Sequence, residues 1–430
     1  MAGVIEQSTP VQPSDPKRLA GKFRFANFNV STYVVGSAIS MIGFFVQSFG
    51  QWILVVNLSG NRTALPVTIA LQTLPILLLG TWGGSIVDRF DNRRLMALTT
   101  VLSTITAVWL GVLADRGQAT VLIVNIFAVA LGLISVFERP AMQAFLSELA
   151  GPSEITRAVG LNATVLPLAR LVGPPVGGFL IALSGVPMCF FINAGSYLFF
   201  LLALAMLRTG EMLPRREPAA RKGMVKAGLE YARRDPLIGP VLLGMFVVGF
   251  AGFNFPMVLP LMAKYVFHIG EKRLSWTISL SAVGSLVAGV LAARRPLPSL
   301  TKLGLWAVAF GVSLGAYGIA PTYWWWFVAS FPVGFTAATY TTTVVQILQK
   351  SSRPEMVGRV MALYGIAFFG TTPFGAVFVA LLSENVSERA PFILGGILVA
   401  LTGFVIMATL GRAENRINIH NLSKISTIND

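Results

Sequence analysis

The chain has 430 residues, of which 54% are hydrophobic and only 12% charged, against about a quarter charged in an ordinary soluble domain. That deficit excludes the two or three soluble domains that the length alone would suggest. A net charge of +15 rests on 33 lysines and arginines. The single cysteine, Cys189, excludes an internal disulfide framework, and the histidines, His268 and His420, lie far apart and form no metal-ligand cluster.

Residues 1–27 are polar, contain prolines and lack the apolar core of a signal peptide. They are expected to form a mobile cytoplasmic arm. Twelve apolar segments follow, at about 28–58, 65–87, 95–115, 119–140, 156–183, 187–207, 237–266, 274–293, 301–320, 322–349, 357–382 and 388–411. Many run 18 or more residues without a charge, enough to cross a bilayer core of about 30 Å as a helix. Their apolar character is continuous and does not alternate, so helices are expected and barrel strands are not. The longest connection, 208–236, is dense in lysine and arginine and carries Pro214 and Pro218. It separates an N-terminal group of six segments, 28–207, from a C-terminal group, 237–411. Residues 412–430 form a tail, expected to be cytoplasmic. The stretch "PSEITRAVGLNATVLPLARLVGPPVGG" at segment 5 is echoed by "RPEMVGRVMALYGIAFFGTTPFG" at segment 11. Such repetition is typical of transporters that rock two bundles about a central site. The expected fold class is an all-α membrane protein with twelve transmembrane helices in two six-helix bundles related by pseudo-twofold symmetry.

Orientation follows from the basic residues. With the N-terminus cytoplasmic, most lysines and arginines fall on that side; only Arg62, Arg116, Lys272, Arg273 and Arg389 fall on the other. This bias predicts both termini inside. It also excludes a nucleic-acid partner, because the basic excess reads as an orientation signal facing anionic lipid.

The densest charge sits in "GGSIVDRFDNRR", residues 83–94, between two uncharged flanks. The motif resembles the loop between the second and third helices of the major facilitator superfamily, Gly-x-x-x-Asp-Arg-x-x-Arg-Arg, with Gly84, Asp88, Arg89, Arg93 and Arg94 in its positions. "ERPAMQAFLSEL" (138–149) and "ARLVGPPVGG" (169–178) are similar to the branch containing the enterobactin exporter and macrolide-efflux proteins. Asn92 departs from that branch, which tends to carry arginine there. The resemblance covers about residues 25–410. It implies a cytoplasmic gate latch, with Asp88 set against the start of the eleventh helix near Gly358 and Arg359, where a helix N-terminus is partly positive. Gly84 would let two helices approach closely. A plain topology anchor is the other reading of this loop. "GPPVGG" (173–178) resembles the antiporter motif, with Gly173, Pro174, Gly177 and Gly178 in place and Pro175 beside them; ordinary small-residue packing reads the same residues equally well.

Arg170 lies about 20 Å into segment 5 at 1.5 Å per residue, where a charge is functional or paired. Glu138 in segment 4 is the nearest acidic candidate, so the pair is expected to interact and Glu138 to carry a coupling proton; a structural arginine bonded to carbonyls is the alternative. Lys264 is expected to snorkel to the interface, and "YWWW" (323–326) to form an aromatic belt. Segments that line the central cavity in the family supply Gln47, Gln51, Asn254, Phe255, Tyr364 and Phe368 as candidate substrate contacts, a mostly apolar set with a few polar groups.

No Gly-x-x-x-x-Gly-Lys-Ser/Thr loop appears, which argues against ATP drive. No His-Glu-x-x-His and no acid pair in a span appear either, so the chain is not expected to be an enzyme and no cofactor or metal is expected. The resemblance implies a monomeric exporter of a small amphiphilic molecule, such as a drug or siderophore-like compound, in the inner membrane of a bacterium. Its partners would be that substrate, protons exchanged for it, and membrane lipid. An uncoupled facilitator, an importer of a small metabolite and a non-transporting scaffold stand as alternatives.

Overall fold

Short polar residues placed just ahead of the apolar runs decide where helices begin. The side chains of Asp91, Thr120, Ser299 and Thr322 each accept a hydrogen bond from the backbone three residues on. Each cap satisfies one of the backbone donors that a helix start leaves unpaired. The computed structural model describes residues 27–87, 89–150, 155–208, 210, 212, 224–292 and 299–411. Residues 1–26, 412–430 and most of 209–223 lie outside it, and with them the expected arm, the tail and part of the central connection.

All regular secondary structure among the described residues is helical. The first six helices are α1 (Phe28–Leu58), α2 (Ala64–Val87), α3 (Asn92–Asp115), α4 (Val121–Leu149), α5 (Ile155–Ser184) and α6 (Pro187–Met206). α7 (Met224–Arg234) follows, then α8 (Ile238–Gly252), α9 (Phe255–Leu261), α10 (Glu271–Ala292), α11 (Leu300–Gly318) and α12 (Tyr323–Ser351). The chain ends in α13 (Val357–Phe369), α14 (Thr372–Asn385) and α15 (Ala390–Ile406). Among the described residues ten spans are long and apolar enough to cross a membrane. α12 is not among them, and α2 qualifies only as a shorter apolar helix, Ala64–Gly80.

The structure departs from the sequence expectation in three places. Residues 224–234, expected to belong to a loop, form α7, which packs on α13 and α8. Gly228 lies against Arg359 and Ala232 is buried, so one side of this charged helix has a partner. Segment 7 is broken: α8 stops at Gly252, and Asn254, 2% exposed, turns its amide back to the carbonyls of Phe250 (2.8 Å) and Ala251 (3.4 Å). Segment 11 is broken as well, at Gly370 and Thr371, where the Thr371 hydroxyl donates to the Phe368 carbonyl. The two breaks adjoin, with Thr371 facing Gly249 and Asn254 facing Gly375.

Within the first six helices α1 packs on α5 and α6, α2 on α4, and α3 on α4 and α6. Later in the chain α8 packs on α13 and α15, α10 on α12, and α11 on α12 and α15. α5 against α10 and α2 against α14 join the two sets. Lipid gives no hydrophobic drive between helices, so close packing and interhelical hydrogen bonds must hold them. Asn193 donates to Gln47 (2.6 Å) between α6 and α1, and Thr68 donates to Asn125 (2.6 Å) between α2 and α4. α11 and α15 meet through glycines: a Cβ on Gly311 would lie 2.5 Å from backbone atoms of Gly396 and Ala400, and one on Gly403 2.6 Å from the Gly304 carbonyl.

Candidate functional site

The charged loop at 83–94 fastens the first six helices to one another. Asp91 caps α3 by accepting from the Arg94 backbone (2.8 Å). Asn92, 2% exposed, donates to Glu148 on α4 (2.6 Å). Arg93 donates through Nε to the Leu204 carbonyl (3.0 Å) and through Nη2 to that of Ala205 (3.2 Å). These belong to the last turn of α6, whose carbonyls lack helical partners and carry partial negative charge. Arg89 and Arg94 are exposed, and among the described residues none of the three arginines bonds to α13. Asp88, the expected latch carboxylate, lies outside the described residues. A Cβ on Gly84 would meet open space, whereas one on Gly83 would lie 2.6 Å from the Val136 carbonyl. The close approach to α4 therefore belongs to Gly83, because neighbouring residues on a helix face directions about 100° apart. Arg93→Ala should cost about 1 kcal/mol, below the roughly 1.5–3 kcal/mol of bonds to charged groups because solvent reaches this donor, read as earlier thermal unfolding in detergent. Arg93→Lys should recover only part of the loss, since it lacks the fork.

On α5, Gly173 and Gly177 turn towards α1, where a Cβ on Gly177 would lie 3.0 Å from the Phe49 ring and one on Gly173 3.3 Å from the Ile42 carbonyl. Gly178, one position on, turns towards α10 and would place a Cβ 2.5 Å from the Ser275 hydroxyl. Pro174 and Pro175 sit inside an unbroken helix. The motif thus seats α5 between α1 and α10, at a seam between the first six helices and the later ones.

Arg170 lies on the same α5 face, one turn before Gly173, with its guanidinium 5.8 Å from the centre of the Phe45 ring on α1. Glu138 is half-buried on α4. No ion pair joins Glu138 to Arg170 among the described residues, because Arg170 is turned towards α1. The neighbour of Glu138 proves informative instead. The sequence placed Arg139 at a membrane edge by ending segment 4 at 140, but α4 continues through Pro140 to Leu149. Arg139 is then ten residues, about 15 Å, in from that helix end, and its guanidinium lies 5.7 Å from the centre of the Phe369 ring on α13.

The expected substrate contacts divide. Gln47 accepts from Asn193, and Asn254 caps its own helix break, so both amides are used in packing. Gln51 is 4% exposed. Phe255 lies among Phe253, Phe310 and Phe392, inside the later helices. Tyr364 and Phe368 stack on each other (6.0 Å, 15°) on the half of α13 that leads to Phe369. Arg170 thus meets Phe45 on α1 and Arg139 meets Phe369 on α13, while Phe368 packs on Phe253 (4.9 Å) and through it on Phe255.

The end of the molecule opposite the 83–94 loop holds contacts that sequence reasoning missed. Arg62, between α1 and α2, pairs with Glu388, between α14 and α15, at 2.6 Å. Arg62 also lies 5.5 Å from the Tyr265 ring centre, and Lys264 donates to the carbonyl of Val56 on α1. Lys264 thus spans two sets of helices where snorkelling was expected. Arg389 donates to the carbonyls of Ala320 (2.6 Å) and Gly318 (3.2 Å). The signal available in the sequence was the rarity of basic residues on this face.

The sequence matches the family described as transmembrane secretion effector over residues 23–424. It is 26% identical to the staphyloferrin A transporter of Staphylococcus aureus over 64% of this chain and 71% of that one. It is 25% identical to the multidrug efflux pump Tap of Mycolicibacterium fortuitum over 88% and 93%, and 21% identical to macrolide efflux protein A of Streptococcus pyogenes over 89% and 96%. Among solved structures the fold is similar to a bacterial homologue of the lysosomal transporter Spinster in an inward-facing, occupied conformation (TM-score 0.67, 13% identity, 92% and 98% of the chains). It is similar also to a mutant of the peptide transporter POT (TM-score 0.74, 11% identity, 91% and 96%).

Proposed function

Because the chain belongs to the transmembrane secretion effector family of major facilitator transporters, which are not enzymes, we propose that it exports a small amphiphilic molecule by proton antiport. The chain is a multi-pass membrane protein and a transporter. The finer reading adds twelve membrane crossings in two bundles of six, with α8–α9 and α13–α14 each counted as one broken crossing and α12 as the tenth. Its support is the repeated packing order: α1 with α5 and α6 is matched by α8 with α13 and α15, and α2 with α4 by α10 with α12. The lysine and arginine bias supports both termini in the cytoplasm of a bacterial cell.

The observation that carries the mechanism is the set of contacts at the 59–63 end. Arg62–Glu388 and Lys264–Val56 tie the first bundle to the second on the outer face, and they would separate as the bundles rock. In this reading the 83–94 loop keeps the first bundle rigid on the cytoplasmic side, with Gly84, Asp88, Arg89, Arg93 and Arg94 as its gate motif, and Gly173, Pro174, Gly177 and Gly178 provide the seam of the antiporter-like motif. Arg170, Gln51, Tyr364 and Phe368 are the proposed substrate contacts. Glu138 is the proposed proton carrier, as an acid deep in a span that has no ion-pair partner among the described residues.

Energised inside-out vesicles test this. Candidate compounds are added one at a time while the pH gradient is followed. An antiporter collapses the gradient with its substrate, and Glu138→Gln should abolish that collapse while leaving the protein folded. Substrate crossing with no proton movement would replace antiport by facilitated diffusion, and full activity of the glutamine variant would remove Glu138 from the mechanism.

A further inference from the structure

We infer that Arg139 and Arg170 form an anion-binding site, so that the transported molecule is an amphiphilic organic anion carrying a carboxylate or sulfonate on a flat ring system. This inference deepens the export reading and rests on it for the word "transported"; the binding site itself stands or falls separately.

Two guanidinium groups lie inside helices that cross the membrane. Charges at such depth are costly and are normally paired or turned to a polar cavity. Neither has an ion-pair or hydrogen-bond partner among the described residues, and both are exposed. What each has is an aromatic face: Phe45 at 5.8 Å for Arg170 and Phe369 at 5.7 Å for Arg139. A ring stabilises the flat face of a guanidinium and leaves the N–H donors along its edge free. Those donors match the two oxygens of a carboxylate or sulfonate.

The placement suits one ligand. α4 and α5 are antiparallel neighbours in the chain. Along the helices Arg139 lies about 15 Å from Leu149 and Arg170 about 22 Å from Ile155. The difference, about 7 Å along the helices, is within the length of one two- or three-ring molecule. On α13 Tyr364 stacks on Phe368, and Phe369, beside Arg139, meets Phe368 edge-on. Glu138, next to Arg139, is one carboxylate against two guanidiniums, so the group keeps a net positive charge. Export of such an anion also runs with an inside-negative membrane potential.

The test uses the full chain in nanodiscs of phosphatidylcholine and two dyes built on the same xanthene rings. Carboxyfluorescein is anionic and rhodamine 6G is cationic. Binding is read by fluorescence anisotropy, which needs no pH gradient and no transport. Carboxyfluorescein should bind with a lower Kd than rhodamine 6G. Arg170→Gln should weaken it about tenfold or more, the loss expected for a charge-assisted contact. Arg139→Gln should weaken it as well, and Arg170→Lys should restore part of the affinity, showing that the site is folded. Rhodamine binding that equals or exceeds carboxyfluorescein binding, no binding of the anion by the unaltered chain, or an unchanged Kd in Arg170→Gln would each overturn the site. Displacement of the anion by a small fraction of phosphatidylglycerol would assign the arginines to lipid headgroups and overturn the substrate class. If the anion binds but is not moved in proteoliposomes, the export reading fails and the site remains.

Discussion

Gly311→Val should leave almost no folded protein, and Gly311→Ala should unfold at a clearly lower temperature. A Cβ at this position would lie 2.5 Å from the Ala400 nitrogen and 2.5 Å from the Gly396 carbonyl oxygen. Both obstacles are backbone, so no side chain can swing aside and α15 itself would have to move. The contact is reciprocal, since a Cβ on Gly396 would lie 2.6 Å from the Gly311 carbonyl, and the same arrangement recurs seven residues away at Gly304 and Gly403. Overpacking a close-packed contact costs about 1–3 kcal/mol even where neighbours relax, and here they cannot. Gly315, on the same helix, would meet nothing within 4 Å. Gly315→Ala should therefore behave like the parent. Fluorescence-detected size exclusion after a heating series reads all three; equal melting of Gly311→Ala and Gly315→Ala would refute the argument.

The second large effect concerns the ion pair at the opposite end from the charged loop. Arg62→Gln leaves the Glu388 carboxylate 7% exposed with its counter-charge removed. Stranding a buried charge costs about 3–5 kcal/mol. The Arg62 side chain is 44% exposed, so solvent screens the pair and about 1–3 kcal/mol is the better figure. A state in which the loops have parted lets Glu388 reach water and escapes that penalty. The balance should shift towards it by about ten- to a hundredfold. Glu388→Gln removes the charge along with the pair and should shift it less. Spin labels at the exposed positions Asn61 and Asn385 would report the change as a longer, broader distance distribution in Arg62→Gln. Identical distributions in the parent and both variants would sink the proposal that this pair holds the bundles together.

Long apolar runs between charged connections made the helical membrane character legible, because that pattern depends only on length and hydropathy. Breaks within the runs were not legible in the same way. The break at Asn254 depends on one amide reaching back to its own helix, and asparagine in a membrane segment reads equally well as a substrate contact. Segment 4 ends at 140 in the sequence pattern, whereas α4 continues past Pro140 to Leu149. Gly83 and Gly84 differ only in the direction they face, which requires the helix phase relative to a partner. The charged loop was visible as a motif, but its bonds to Glu148, Leu204 and Ala205 connect residues more than fifty positions apart. No local pattern encodes those partners. The pairing of Arg62 with Glu388 was hidden for the same reason.

The two helix breaks also bear on symmetry. The two halves of such a fold are related by an axis along the membrane normal, so exchanging them turns an inward-open state into another inward-open state. Among the described residues no helix of the first six is broken, while α8–α9 and α13–α14 are broken side by side. The halves are therefore not mechanically equivalent: an interruption of helical hydrogen bonding, where a helix bends most cheaply, is present in the later helices and absent from the first six as described.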